Sequence, residues 1–79
     1  MTESEWRADF LKWYEETNAQ CVRESRTYDM LDELRNRFEE ASPVERTWLF
    51  GLMHEWRHSD NQYHQYDSRV LLQEFGRDS

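Results

Sequence analysis

The sequence predicts an all-α fold, a small four-helix domain built of two antiparallel helical hairpins. Glycine and proline are scarce, at two and one in 79 residues, which disfavours a turn-rich β fold. Apolar residues recur at intervals of three and four positions, the spacing of a single helix face. Helix-capping patterns lie between these runs, with no linker or low-complexity tract. We therefore expect one helical domain over residues 1–79, with short connections between its helices.

The first two helices are predicted from their apolar stripes. Thr2 and Glu5 form a capping-box pattern, so helix 1 should run from about residue 3 to about residue 22. Its stripe comprises Trp6, Phe10, Trp13, Tyr14, Thr17 and Cys21. A polar break at residues 23–26 follows, and helix 2 should run from about residue 27 to about residue 41. Its stripe comprises Tyr28, Leu31, Leu34, Phe38 and Ala41.

The third helix has the clearest start signal in the chain. Ser42, Pro43 and Glu45 supply an N-cap, a proline at the first helical position and an acid at the third. The helix should extend to about residue 58. At 100° per residue, its buried side is predicted to comprise Val44, Trp48, Leu52 and Trp56, with Leu49 and Met53 at the edge.

The fourth helix is predicted from a second capping pattern, Ser59 with Gln62. It should begin near residue 60 and end before Gly76, a residue that suits a C-terminal cap. His64 shares a face with Ser68, Leu71 and Phe75 on this helix, and that face is the expected buried side.

One motif carries chemistry. His54, Glu55 and His58 spell H-E-x-x-H, and His64 extends it to H-E-x-x-H-x-x-N-x-x-H. Two histidines four positions apart lie on one helix face and can bind one Zn²⁺ together, and the glutamate between them can act as a general base. The 11-residue string resembles the motif of the metzincin metalloproteases, with Asn61 at the position where that family usually has glycine. The resemblance implies a three-histidine zinc site and peptidase activity.

The predicted helix faces argue against that site. His54 and His58 fall opposite the apolar side of helix 3 and should face solvent, whereas His64 should point inward. The three side chains converge only if residues 59–64 form a turn. The large sheet-containing context of metzincins is missing, so we expect no enzyme here, with metal binding by the histidines kept as an alternative.

Residues 43–76 resemble a HEAT-type helical hairpin. An amphipathic helix is followed by a short S-D-N turn and by a second helix with the run Tyr66-Asp67-Ser68-Arg69-Val70-Leu71-Leu72. HEAT-like units generally serve as protein-binding scaffolds, so the resemblance implies a binding role. A plain four-helix bundle explains the same pattern.

Charge and cysteine content bound the class of partner. The net charge is −7, with 17 acidic and 10 basic residues, so the surface should repel nucleic-acid backbones and suit a basic protein partner. Cys21 is the lone cysteine and cannot form an internal disulfide. No apolar run is long enough to span a membrane. A cytoplasmic protein is therefore expected.

These observations predict a small acidic protein that acts by binding another protein, with an inhibitor, immunity or antitoxin-like role. Tyr63, Tyr66 and Val70 form a second apolar face of helix 4 and are the candidate binding residues. The same face could instead meet a second copy of the chain in a homodimer. The alternative from a different class is a metal-binding protein that uses His54, His58 and His64.

Overall fold

The computed structural model describes residues 2–76 and confirms an all-α fold of four helices. In chain order these are α1 (Glu3–Arg23), α2 (Thr27–Glu40), α3 (Pro43–Trp56) and α4 (Gln62–Phe75). No residue of the described range is in a strand. The chain divides into two compact units, Met1–Glu33 and Leu34–Ser79. No helix in the described range is long and apolar enough to cross a membrane.

Helix α1 begins with the predicted capping box. The Thr2 hydroxyl accepts a hydrogen bond from the Glu5 backbone N–H at 3.2 Å, and the Glu5 carboxylate accepts one from the Thr2 N–H at 3.3 Å. These bonds satisfy two donors that a helix N-terminus otherwise leaves without partners. The helix ends at Arg23, one residue beyond the predicted position.

The apolar stripe predicted for α1 is buried at three of its six residues and half-buried at the other three. Phe10, Tyr14 and Cys21 are all buried. Trp6 and Trp13 stay half-buried and flank Phe10, with ring centroids 5.9 Å and 5.5 Å from that of Phe10. This row of rings supplies much of the apolar surface of the first unit, because aromatic side chains are the largest in the chain.

The predicted break after α1 is a tight polar turn. Ser25 has a φ of 56°, in the left-handed region, which ends the helix. Arg26 pairs with Glu24 at 2.5 Å and with Asp29 at 2.9 Å, so it links the turn to the first residues of α2. All three side chains are about half exposed, so these pairs contribute little to stability.

The stripe predicted for α2 is buried at its three middle residues and not at either end, since Ala41 is half-buried and lies beyond the helix, which ends at Glu40. Leu31, Leu34 and Phe38 are buried, but Tyr28 is 78% exposed and Met30 is buried in its place. At 100° per residue, Tyr28 lies roughly 100° from the centre of the buried residues, and Met30 about half as far. The sequence pattern counted every apolar or aromatic residue equally. It therefore included Tyr28, although this side chain faces solvent.

Phe38 lies at the centre of the second unit. Its ring stacks on that of Phe75 at 5.1 Å and meets that of Phe50 edge-on at 5.5 Å. Its backbone carbonyl accepts two hydrogen bonds from the Arg46 guanidinium, at 3.2 Å and 2.6 Å. A carbonyl in the last turn of α2 is thus satisfied by a cation from α3, and one residue joins three helices.

The side of α3 that is buried differs from the prediction. Leu49, Met53 and Trp56 are buried, whereas Trp48 is only half-buried and Val44 is 61% exposed. The buried side is turned by about 90° from the predicted one. Since α3 is apolar around most of its circumference, its sequence does not define one narrow stripe.

The loop between α3 and α4 is longer than predicted. Helix α3 ends at Trp56 rather than near residue 58, and α4 begins at Gln62 rather than near residue 60. Asn61, not Ser59, caps α4, since its side-chain oxygen accepts from the N–H groups of Tyr63 and His64. The Ser59 hydroxyl accepts from the Asn61 N–H at 3.1 Å and holds the turn before the cap.

Helices α3 and α4 then pack against each other as a helical hairpin. The predicted buried side of α4 is correct at Ser68 and Leu71, both of which are fully buried, while His64 and Phe75 are half-buried. Gly76 caps the end of α4 as expected, with a φ of −69° that any residue could adopt. Arg35 of α2 forms a bidentate pair with Glu74 of α4, both contacts at 2.8 Å.

Candidate functional site

The histidine motif does not lie on one continuous helix. His54 is exposed on α3, but His58 follows the end of the helix. Its N–H bonds to the Glu55 carbonyl, three residues back, rather than to a carbonyl four residues back. The one-turn spacing that lets two helical histidines share an ion is therefore altered at the second histidine.

His64 lies on the other side of the hairpin loop, against the core. Its ring stacks on the indole of Trp56 with centroids 4.1 Å apart and planes 7° apart. The inward orientation predicted for His64 is thus observed. Asn61 has a φ of −81° and caps α4, so it does not form the left-handed turn that would bring a third ligand towards the first two.

These side chains do not fit a common metal ion. Within residues 2–76, no three His, Cys, Asp or Glu side chains lie close enough together to hold one. Glu55 is exposed. The three-histidine arrangement is therefore not formed in this structure, and a two-histidine site at His54 and His58 stays a prediction.

The second candidate site is the outer face of α4. Tyr66 is 54% exposed, while Tyr63 and Val70 are half-buried. Tyr66 and Val70 border a shallow open groove of about 580 Å³, which we call the α4 groove. Its lining residues are Arg57, Tyr66, Arg69, Val70, Leu72 and Gln73.

The α4 groove is built from a single helical stripe and one edge of the hairpin. Tyr66, Arg69, Val70 and Gln73 are spaced by three and four positions, so they form a continuous row along α4. Arg57 reaches the groove from the C-terminal end of α3. Since both helices belong to the same packed hairpin, the row and the arginine are held by one rigid pair of helices.

The charge of this groove differs from that of the chain as a whole. The guanidinium groups of Arg57 and Arg69 form no ion pair or side-chain hydrogen bond with the part of the chain that the structure describes. Both are exposed. By contrast, Arg35 pairs with Glu74, and Arg46 caps α2. The groove therefore combines an apolar floor with two arginine side chains that pair with no acidic group of the described chain.

A neighbouring groove of about 620 Å³ continues along the hairpin. It shares Arg57, Leu72 and Gln73 with the α4 groove and adds His54 and Phe50 among its other lining residues. One of the motif histidines, His54, is thus placed beside the α4 groove.

Several residues of this surface were missed by the sequence pattern. Arg57 and Arg69 were not predicted to take part in binding, because the prediction considered apolar residues only. Leu72 was not predicted either. The spacing of Arg69 from Tyr66 was a usable signal, since residues three apart are neighbours on a helix. Asp67 is 5% exposed and was also not expected to be buried.

The surroundings of Glu74 and Cys21 shift the pKa values of both side chains. The bidentate hydrogen bonds from Arg35 lower the pKa of the Glu74 carboxyl. Burial raises the pKa of the Cys21 thiol, with a partial opposing effect from Arg26. A buried thiol that is kept protonated is a poor nucleophile, so Cys21 acts as an apolar core residue.

Comparison with known proteins returns no match to a family model, to a curated protein or to a solved structure. The HEAT-type and metzincin resemblances stay predictions.

Proposed function

We propose that this chain acts by binding another protein through the outer face of α4. The observation that carries the proposal is Tyr66, a large ring that is 54% exposed at the border of an open groove. Exposed tyrosines beside apolar grooves and arginines are typical of interface centres, since tyrosine and arginine are the residues most enriched there. Tyr63 and Val70 extend the same face.

The proposed mode is docking of a segment onto a helical hairpin. The groove is shallow and open, so it suits a protein segment better than an enclosed small molecule. An inhibitor, immunity or antitoxin-like role in the cytoplasm is the form of binding that we propose for a chain of this size and acidity. Such a role requires no catalytic group.

The test compares two exposed tyrosines. The immobilised chain is incubated with an extract of its native host, and each captured protein is purified and titrated against wild type, Tyr66→Ala and Tyr28→Ala. Tyr28 is the matched control, because it is 78% exposed on α2 and does not line the groove. Circular dichroism checks that both variants keep the wild-type helix content.

We expect Tyr66→Ala to weaken binding by about tenfold or more, the usual effect of truncating a central interface residue. Tyr28→Ala should leave the affinity unchanged. Equal binding by wild type and Tyr66→Ala would place the interface elsewhere on the chain and contradict the proposal.

A further inference from the structure

The groove arginines indicate the chemistry of the partner. Arg57 and Arg69 are exposed and line one groove, and their guanidinium groups have no ion-pair or hydrogen-bond partner among the described residues. An arginine that is covered by a docking partner loses water, and that loss is costly unless an anion replaces it. Whatever covers the groove therefore has to bring negative charge to these two positions.

A carboxylate is the anion that this geometry fits within a protein partner. The guanidinium presents a planar set of donors that matches the two oxygens of a carboxylate. The chain itself contains such a pair, since Arg35 binds Glu74 through two contacts of 2.8 Å. Tyr66, Val70 and Leu72 provide apolar surface beside the arginines for a neighbouring side chain of the same segment.

We propose that the α4 groove binds an acidic, amphipathic segment of a partner protein. The segment directs carboxylates to Arg57 and Arg69 and an apolar side chain to the surface of Tyr66, Val70 and Leu72. This inference rests on the proposed function. It replaces the basic partner that the net charge predicts with an acidic one that the local charge predicts.

The same observations disfavour the other occupants of this face. A symmetric dimer through the groove would bring both arginines of one copy towards those of the next, because the same patch meets itself across a two-fold axis. A nucleic acid would also offer anions to the arginines. However, a nucleic acid carries a negative charge on every phosphate, so a chain with a net charge of −7 repels it more strongly than a segment that brings only a few carboxylates.

The experiment is selection of binders from a random library of displayed peptides about twelve residues long, a length that covers a groove of this kind. Peptides enriched on the wild-type chain are synthesised and titrated against purified variants. One variant is Arg57→Gln/Arg69→Gln. Its matched control is Lys12→Gln/Arg23→Gln, which also removes two exposed positive charges but from residues that do not line the groove.

We expect the enriched peptides to be rich in Asp and Glu beside an apolar residue. Arg57→Gln/Arg69→Gln should weaken their binding roughly tenfold or more, since charge-assisted contacts are lost at both arginines. The Lys12→Gln/Arg23→Gln control should change it by less than about twofold. Tyr66→Ala should weaken binding as well.

Other outcomes separate this inference from the proposed function. Peptides that are basic, lose binding with Tyr66→Ala and ignore the arginine substitutions would overturn the inference and leave the proposed function standing. Binders that are insensitive to Tyr66→Ala would overturn both. A dimer in sedimentation that Tyr66→Ala abolishes, or a single-stranded oligonucleotide that binds wild type but not Arg57→Gln/Arg69→Gln, would assign the groove to a different occupant.

Discussion

The orientation of α3 gives the sharpest test of the fold, because the sequence pattern and the structure disagree about it. The pattern places Val44 on the buried side and Leu49 at its edge, whereas the structure shows Leu49 fully buried and Val44 61% exposed. Replacing each residue with alanine separates the two orientations. The substitutions are matched in chemistry, since both shorten an aliphatic side chain on the same helix.

The expected costs follow from burial. Leu49→Ala removes apolar groups that are fully packed and should lower the free energy of unfolding by about 3 kcal/mol, within the usual range of ~2–5 kcal/mol. Val44→Ala removes groups that are mostly in water already. Alanine also has a helix propensity higher than that of valine by roughly 0.5 kcal/mol, so the net change should be within about 0.5 kcal/mol of zero.

The measurement is urea unfolding followed by circular dichroism and tryptophan fluorescence. With a slope of about 1 kcal/mol per M, Leu49→Ala should lower the urea midpoint by roughly 3 M, and Val44→Ala should hardly move it. A domain of this size has a total stability of only about 4–12 kcal/mol, so Leu49→Ala could leave the chain unfolded. Leu49→Met conserves volume and should remain folded, at a cost below about 1.5 kcal/mol. If Val44→Ala proved as costly as Leu49→Ala, the orientation of α3 described above would be wrong.

Three further predictions concern charge, thiol and metal. Glu74→Gln should lower stability by about 0.5–1 kcal/mol at neutral pH. Because pairing with Arg35 lowers the folded-state pKa of Glu74, this stabilisation is present above the unfolded pKa. Urea unfolding at several pH values should therefore show the difference from wild type disappearing as acid protonates the carboxylate, and a difference that persists in acid would exclude the pairing. Cys21 should react with a thiol reagent far more slowly in the native chain than in denaturant, since it is buried and its pKa is raised; equal rates would show it to be accessible. Calorimetric titration with Zn²⁺ should show weak binding that His58→Ala reduces more than His64→Ala, because His64 is stacked on Trp56; tight binding lost in both variants would contradict the orientation of His64.

The positions of the helices could be predicted from local signals alone. Thr2 with Glu5 and Ser42 with Glu45 form capping boxes in the structure as the sequence indicates. Such caps depend on residues within one turn, so they do not require knowledge of the fold. The exception is the start of α4, where Ser59 and Asn61 are both capable caps and the structure uses Asn61.

Which side of each helix is buried was harder to predict, and the reason differs between helices. In α2, alternation of charge with apolar residues defines the buried side well enough to place Leu34 and Phe38. In α3, apolar residues surround the helix, so the packing of α3 within the fold decides that Leu49 and Met53 are on the buried side. The buried side of α3 therefore depends on tertiary packing and cannot be predicted from the spacing of its apolar residues.

Whether each arginine forms an ion pair could likewise not be predicted from the sequence. Arg35, Arg57 and Arg69 look alike in composition, yet Arg35 pairs with a residue 39 positions away while the guanidinium groups of the other two have no such partner in the described chain. Pairing at such a separation depends on the packing of α2 against α4. The candidate face could therefore be predicted from Tyr63, Tyr66 and Val70, but its charge could not.

Net charge and contact charge act over different distances, and this decides how the two predictions about a partner should be weighed. A net charge of −7 governs the approach of a partner over about a Debye length, roughly 8–10 Å in physiological salt. Arg57 and Arg69 act only once a partner touches the groove. For an acidic segment the two effects have opposite signs, so added salt relieves the repulsion while it weakens the contacts, and the salt dependence of affinity alone does not identify the partner. Substitution of the two arginines removes the contacts with only a small change in net charge, and the Lys12 and Arg23 control measures that small change by itself. The two sets of variants therefore separate the contribution of Arg57 and Arg69 to the affinity from the contribution of the net charge.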